Sequence, residues 1–136
     1  MTIIPTSHMD LIERPVVVSL ATVNESGQPQ VTPVWIDYDG EYLRVNSAAG
    51  RRKVENMEER PQATVLWIDP ADPYRWMEVQ GTVVDVTTEG GVEHINQLSV
   101  KYRNQPDFYA GMPERRGKET RMIFRIRPDK VNVSRN

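Results

Sequence analysis

Cysteine is absent from this sequence, and histidine occurs only twice. Without cysteine the chain has no disulfide, no thiolate metal ligand and no cysteine nucleophile. His8 and His94 are far apart in the chain and form no metal-ligand motif, so we predict no metal site. We interpret His94 as an exposed or half-buried helix residue rather than an acid or base.

Long apolar runs and an excess of basic residues are also missing. No run approaches the roughly 20 apolar residues of a membrane span, and the N-terminus has no secretory signal pattern. Lysine and arginine number 17 against 19 aspartate and glutamate, a formal net charge of -2. This balance argues against a general nucleic-acid or membrane-surface binder, so any anion site must be local. We expect a cytoplasmic protein with a single domain over residues 1–136.

The charge pattern of residues 50–59 suggests such a local anion site. Arg51, Arg52 and Lys53 open this predicted helix, and glutamates close it. The helix macrodipole favours the opposite order, by roughly 0.3–1 kcal/mol per charge. An anion held by these cations and by the free N–H groups of the first turn would offset the penalty. The alternative is a solvated basic turn balanced by pairs such as Arg51 with Glu55.

The rest of the chain has the pattern of short strands joined by turns. We predict helices over 6–13, 50–59 and 88–102, and strands over 16–23, 30–38, 41–46, 62–69, 76–86, 119–127 and 130–134. Residues 104–117, rich in proline and glycine, predict a mobile loop. Hairpin-linked strands in this number indicate a mainly β fold, a closed or nearly closed antiparallel barrel with added helices.

Two residues and one strand allow more specific structural predictions. Pro33 cannot donate a ladder hydrogen bond, so its strand should lie at a sheet edge or be bulged there. Gly81 suggests a bulge or a barrel corner within strand 76–86. In strand 119–127, alternation places Met122, Phe124 and Ile126 on one face, and Arg121, Arg125 and Arg127 on the other.

Several short segments of the sequence are informative as a set, because of the order in which they follow one another along the chain. They are Leu20-Ala21-Thr22-Val23, Gly27-Gln28-Pro29, Thr32-Pro33-Val34-Trp35, Val45-Asn46-Ser47, Arg51, Lys53, Asn56, Arg60-Pro61, Gly81-Thr82-Val83 and a final strand from Arg121 to Pro128. In order and spacing they resemble the pyridoxamine 5'-phosphate oxidase-like split β-barrels, which bind flavin or deazaflavin. The resemblance covers nearly the whole chain.

The resemblance implies an FMN-binding-like split β-barrel that forms a homodimer, with a flavin-type cofactor in a groove between the subunits. By position, Arg51 and Lys53 would hold the phosphate, and Asn46 and Ser47 would supply hydrogen bonds. The full set of candidate cofactor residues is Arg51, Lys53, Arg52, Asn46, Ser47, Val34, Trp35, Pro33, Asn56 and Trp76. Val34 and Trp35 would line the ring, and Trp76 would cover it from the second subunit; structural roles for both tryptophans are the alternative.

The short chain resembles the branch of this family that uses the 8-hydroxy-5-deazaflavin coenzyme F(420). The implied function is an oxidoreductase that transfers a hydride between reduced F(420) and a small unsaturated or carbonyl-type organic substrate. FMN is the alternative cofactor. The sequence identifies no catalytic side chain, which agrees with chemistry in which the protein orients a cofactor and excludes water. Arg115 and Arg116 would meet an acidic substrate or the cofactor's anionic tail, although a solvated loop is the preferred interpretation.

Two other functions stay open. A barrel with exposed Trp35, Tyr42, Trp67 and Trp76 near arginines would stack single-stranded nucleic acid, as an OB-fold does. The acidic balance argues against this binding module, and we predict neither a nucleic-acid nor a membrane partner. The second open possibility is that the chain is a homologue that binds no cofactor and has lost activity, since fold does not determine function.

Overall fold

The computed structural model describes residues 3–134, which form a mainly β structure with a few helices, as predicted. The strands are β1 (Val18–Val23), β2 (Pro29–Val34), β3 (Ile36–Tyr38), β4 (Leu43–Ala48), β5 (Gln62–Asp69), β6 (Asp72–Thr87) and β7 (Arg121–Val133). The helices are α1 (Met9–Glu13), α2 (Arg52–Glu59) and α3 (Gly91–Arg103), with 3₁₀ turns at Thr6–His8, Phe108–Gly111 and Pro113–Arg115. Within residues 3–134 no helix is long and apolar enough to cross a membrane.

The seven strands form one antiparallel sheet in the order β2-β1-β5-β6-β7-β4-β3. Its two edges, β2 and β3, are consecutive in sequence and are separated only by Trp35. Two residues of extended chain span at most about 7 Å, so the sheet must curl until its edges meet at this point. The predicted barrel-like curling is therefore confirmed. The predicted strand 30–38 is in fact two strands, and Pro33 lies in an edge strand, as expected.

The interior of the curled sheet follows strand alternation. Its buried side chains include Val18, Leu20, Ile36, Leu43, Val45, Val65, Trp67, Met77, Val79, Phe124 and Ile126. Apolar side chains of α1 (Leu11, Ile12) and α2 (Val54, Met57) pack into the same core. Because Trp67 is completely buried, it is not the exposed stacking residue that the binding-module hypothesis required.

The last two predicted strands, 119–127 and 130–134, are a single strand, β7, that contains a β-bulge. The pairing of β6 with β7 shifts register between Gln80 and Gly81, so Gly81 pairs with Pro128 while Gln80 pairs with Lys130. A Cβ atom on Gly81 would lie 2.6 Å from the Arg127 carbonyl oxygen, which explains the glycine. The bulge expected at Gly81 is confirmed, and it lets β7 continue past Pro128 as a single strand.

Residues 104–117 are more organised than the predicted mobile loop. They form two 3₁₀ turns, and the Asp107 carboxylate accepts a hydrogen bond from the Tyr109 N–H at 3.0 Å. Tyr109 is buried, and Phe108 packs edge-on against it. The segment is therefore a packed wall of the molecule.

Candidate functional site

A cleft of about 360 Å³ lies beside the β2–β3 crossover. It is lined by Val17, Pro33, Val34, Trp35, Asn46, Arg51, Lys53, Ile95, Phe108, Arg115 and Arg121. Six of the ten predicted site residues are in this list, and they come from β2, β4, the crossover and the start of α2. The fold therefore brings together the basic cluster and the Pro33–Trp35 segment, which are distant in sequence.

Four cations, Arg51, Lys53, Arg115 and Arg121, line the cleft. Arg51 is the N-cap of α2, and its side chain accepts no hydrogen bond from the helix. The first N–H groups of α2 therefore have no capping side chain as an acceptor. The last turn of α2 contains no basic residue, which confirms the reversed charge order. Burial, together with the charges of Arg51 and Arg121, lowers the pKa of Lys53. The site is thus strongly positive, and a bound anion would relieve the repulsion.

One carboxylate, that of Glu119, stands behind the cations. It accepts a hydrogen bond from the Tyr109 hydroxyl at 3.0 Å and pairs with Arg115. Its oxygens lie 3.4 Å from Arg121 and 3.8 Å from Arg51. Burial opposes ionisation, but the hydrogen bonds from Arg115 and Tyr109 lower the pKa of Glu119. A single carboxylate therefore compensates only part of the positive charge.

The ion pairs of α2 differ from the predicted ones. Glu55 pairs with Arg52, at 3.6 Å, and not with Arg51. Both members of that pair are largely exposed, so it stabilises the helix only slightly. Arg51 is thereby left to face Glu119 and the cleft.

Arg121 is the main site residue that the sequence analysis missed. Alternation placed it on the face of the strand opposite Phe124, with two other arginines, but α3 covers that face and leaves Arg121 only 5% exposed. Its Nε donates to the Asn46 Oδ1 at 2.8 Å, and its guanidinium lies 5.1 Å from the Phe108 ring centroid. Burial lowers the pKa of Arg121. Ile123 could have indicated the burial of Arg121 from the sequence. It lies on the same face of β7 as the arginines, and an apolar residue there indicates that another element covers this end of the strand.

An aromatic group forms the other wall of the cleft. The Trp35 and Tyr102 rings are stacked, with centroids 5.2 Å apart and an interplanar angle of 10°. Phe108 meets Trp35 edge-on at 6.0 Å, and the Arg103 guanidinium lies 4.9 Å from the Trp35 centroid. Trp35 is therefore a fixed, half-buried face of the cleft and does not belong to the barrel interior.

Four predicted site residues lie outside the cleft of a single chain. Arg52 borders a separate surface near Asn24 and Gln30. Ser47 is buried on the same face of β4 as Val45, and its Oγ has no hydrogen-bond partner within residues 3–134. Trp76 lines a different pocket, on the outer face of the sheet.

Asn56 is the fourth, and its amide is fully used within the protein. Its Nδ2 donates to Thr22 Oγ1 at 3.0 Å and to Asn24 Oδ1 at 2.9 Å. Its Oδ1 accepts from Arg60 at 3.1 Å. Asn56 is completely buried and ties α2 to β1, which corrects its assignment to the cofactor.

Both histidines are buried, contrary to the expectation for His94. The ring nitrogens of His8 lie within hydrogen-bond distance of Ser7 and Ser134. Those of His94 lie near Asn46 and Asp37. Within the described part of the chain, no three metal-binding side chains cluster.

Comparisons with known proteins show which family the chain is similar to. The sequence model of the pyridoxamine 5'-phosphate oxidase family matches residues 4–135. A solved structure described as an F(420) reductase is 32% identical over 95% of this chain and 98% of that one, with a TM-score of 0.81. HupZ of Group A Streptococcus is 19% identical, with a TM-score of 0.68, over 96% of this chain and 94% of that one.

HutZ, the heme storage protein of Vibrio cholerae, has the same identity of 19% and TM-score of 0.68, over 93% of this chain and 92% of that one. At this identity, the similarity of HupZ and HutZ to this chain shows a shared fold only. No curated protein is significantly similar in sequence.

Proposed function

Because the chain belongs to the pyridoxamine 5'-phosphate oxidase family, we propose that it is an oxidoreductase that binds the deazaflavin coenzyme F(420) in this cleft. Its substrate would be a small unsaturated or carbonyl-type organic molecule. The observation that carries the proposal is the cationic wall, in which four basic side chains face one carboxylate. The similarity to an F(420) reductase favours the deazaflavin, and FMN is the alternative.

The residues present fit a phosphorylated ring system. Arg51, Lys53 and Arg121 would hold the phosphate, together with the N–H groups at the start of α2. The backbone of Pro33 and Val34, at the sheet edge, would lie along the ring. This division assigns charge to one side of the cleft and apolar surface to the other.

Bound reduced deazaflavin would supply a hydride to an electron-poor carbon of the substrate, and water would supply the accompanying proton. The role of the protein is to position the cofactor and the substrate and to shield them from water. Trp35, Phe108 and Ile95 give the cleft an apolar wall that excludes water from one side. No side chain is assigned as an acid or base.

We further propose that the site is completed by a second copy of the chain. Leu66 and Ile68 lie on the outer face of β5, opposite the buried Val65 and Trp67, and Ile68 pairs with Trp76 of β6. Ile68 is 46% exposed, so an apolar surface is open on this face. A cleft of about 360 Å³ is at the low end of the range for small-molecule sites, which agrees with a site shared between subunits. Trp76 of the second copy is the residue expected to approach the cofactor.

Parallel titrations with F(420) and FMN test the proposal. Tryptophan emission should be quenched on binding, because Trp35 lines the cleft. Saturable binding of F(420), tighter than that of FMN, is the expected result. Tighter FMN binding would support the alternative cofactor, and a chain that binds neither would contradict the proposal. Reduced F(420) is then mixed with a quinone, an enone and a nitroaromatic compound, and its reoxidation is followed by absorbance.

The structure offers less support for two other functions. Heme ligation by histidine would require one of two buried rings to leave its hydrogen-bonded partners. A nucleic-acid stacking surface would require aromatics on a common face, but Trp35 and Trp76 line different pockets. Affinity for an oligonucleotide that falls steeply as the salt concentration rises would support nucleic-acid binding after all.

A further inference from the structure

A continuous chain of hydrogen-bonded polar side chains runs from Arg121, at the cleft, through Asn46 and His94 to Asp37 of β3. Arg121 Nε donates to Asn46 Oδ1 at 2.8 Å. The Asn46 Nδ2 lies 2.8 Å from the Gly91 carbonyl oxygen and 3.2 Å from His94 Nδ1. His94 Nε2 lies 3.1 Å from an Asp37 carboxylate oxygen. His94 is 2% exposed and Asn46 is 8% exposed, so both must find their partners within the protein.

The direction of every hydrogen bond in this chain is determined. Arg121 Nε can only donate and the Gly91 carbonyl can only accept, so the orientation of the Asn46 amide between them is fixed. Its NH₂ group therefore donates to His94 Nδ1, which must be unprotonated. The ring proton is then on Nε2 and is donated to Asp37.

Asp37 is itself held in place at the end of the chain. Arg44 donates two hydrogen bonds to its carboxylate, each of 2.8 Å. Burial opposes ionisation of Asp37, but the hydrogen bonds from His94 and Arg44 lower its pKa, so it remains an acceptor. The Asp37 and Arg44 side chains are partly exposed, so this end of the chain is polar and partly open, whereas the other end is the cleft.

Arg121 gains its orientation from this chain. Its Nη1 makes only a 3.4 Å contact with Glu119, and its Nη2 makes no hydrogen bond within residues 3–134. The Nε bond to Asn46 is thus the short contact that fixes the plane of the guanidinium. Because Arg recognises phosphate and carboxylate through a planar fork, a fixed plane matters for anion binding.

We propose that His94 is a positioning residue, which orients the Arg121 guanidinium for anion binding through Asn46. The inference rests on the proposed function, because it assumes that the cleft binds the anionic part of a cofactor. His94 itself does not line the cleft and touches no ligand there. The Gly91 carbonyl accepts only one of the two N–H groups of the Asn46 amide, and His94 Nδ1 accepts the other. His94 thereby adds a second contact that keeps the Asn46 oxygen pointed at Arg121.

Two matched substitutions separate this role from simple filling of space. In His94→Asn, the side-chain oxygen lies close to the former Nδ1 position and can accept from Asn46. In His94→Gln, the amide reaches the former Nε2 position and retains only the contact with Asp37. We expect F(420) and inorganic phosphate to bind His94→Asn within about threefold of wild type, and His94→Gln about tenfold more weakly, as for one lost charge-assisted hydrogen bond.

Both variants lose one of the two contacts of the ring, so a merely structural role predicts similar destabilisation and equal affinities. Thermal midpoints measured beside the affinities identify a variant that fails to fold, and the two substitutions provide independent readings. NMR of the imidazole nitrogens gives a readout without ligand, in which His94 should show a protonated Nε2 and an unprotonated Nδ1.

The outcomes are distinct. Wild-type protein that binds neither F(420) nor phosphate overturns the proposed function, and this inference with it. Wild-type binding together with equal affinities of the two folded variants overturns this inference alone. A His94 ring protonated on Nδ1 also overturns it, whatever the affinities.

Discussion

Tyr102 and Trp35 are stacked at the point where the chain crosses between the two edges of the sheet. The Tyr102 hydroxyl accepts a hydrogen bond from the Ile36 N–H at 3.2 Å and donates one to the Val16 carbonyl at 2.7 Å. The neighbouring Lys101 donates to the Ile36 carbonyl at 2.7 Å. The end of α3 therefore holds the backbone of the crossover, which borders the cleft.

The first prediction concerns this anchor. Tyr102→Phe should keep the ring stack but leave the Ile36 N–H and the Val16 carbonyl without their partner, at a cost of about 1–3 kcal/mol in unfolding free energy. Burial raises the pKa of Tyr102 to about 12, so the hydroxyl keeps its proton at neutral pH. Urea unfolding measures the effect, and the exposed Tyr74→Phe is the control. Equal stabilities of the two variants would show that the hydroxyl is not an anchor.

The crossover also shows what the sequence could not predict. Residues 30–38 have continuous strand propensity, so they were predicted to be one strand. The break at Trp35 arises because β2 and β3 pair with different partners, β1 and β4, when the sheet curls. That choice depends on long-range packing, whereas the alternation of Met122, Phe124 and Ile126 with the arginines of β7 is local and was predicted correctly.

The same distinction applies to the site. The order of charges at the start of α2 is a local pattern, and it placed Arg51 and Lys53 correctly in the cleft. Arg121 and His94 were misassigned because α3 packs across β7. Within α3, Val92 has the helical spacing of a buried residue relative to Ile95 but is exposed, whereas His94 is on the buried face with Ile95. A helical period alone does not determine which of two adjacent positions faces the sheet.

The second prediction tests the cationic wall. Lys53→Met should weaken phosphate and F(420) binding about tenfold or more, the expected loss for one charge-assisted contact. The unfolding free energy without ligand should be unchanged or higher, because the amine is half-buried among like charges. Arg52→Met is the matched control from the same turn, since Arg52 lies outside the cleft. Equal losses of affinity in both variants would contradict the assignment.

Affinity should also depend on pH through Lys53. Its pKa is lowered by burial and by Arg51 and Arg121, and a bound anion favours its charged form. Affinity should therefore fall as pH rises through this lowered pKa, before the ordinary lysine range is reached. Lys53→Met should lack that step. Calorimetric titrations with phosphate at a series of alkaline pH values provide the measurement.

The third prediction concerns the second copy of the chain. Ile68→Glu introduces a charge into the exposed apolar face of β5 and should convert a dimer into a monomer at micromolar concentration. Because the site would be shared, F(420) affinity should fall with dimerisation. The pairing of β6 with β7 has a second register shift, between Val83 and Asp85. Val84→Glu at this shift alters a similarly exposed valine and serves as control. Light scattering that finds a wild-type monomer with full affinity would rule out a shared site.

The last prediction concerns stability at acid pH. Asp69 accepts a hydrogen bond from the Ala71 N–H and one from Arg75, each of 2.9 Å, and Arg75 also pairs with Asp10 of α1. The backbone N–H and Arg75 lower the pKa of Asp69. A carboxyl group with a lowered pKa in the folded state contributes stability above its ordinary pKa, and this stability is lost as pH falls through the lowered value.

Asp69→Asn keeps the acceptor for Ala71 but removes two ion pairs, one with Arg75 at 2.9 Å and one with Arg14 at 3.5 Å. The variant should be less stable than wild type at pH 7, and the difference should shrink as pH falls below the ordinary aspartate range, because wild type then loses the same charge. Asp72→Asn is the control from the same turn, since Asp72 forms no salt bridge among the described residues. Urea unfolding between about pH 7 and pH 2 measures both variants, over the range where a paired carboxylate loses its charge. Parallel stability curves for Asp69→Asn and wild type would mean that the ion pairs of Asp69 with Arg75 and Arg14 do not stabilise the fold.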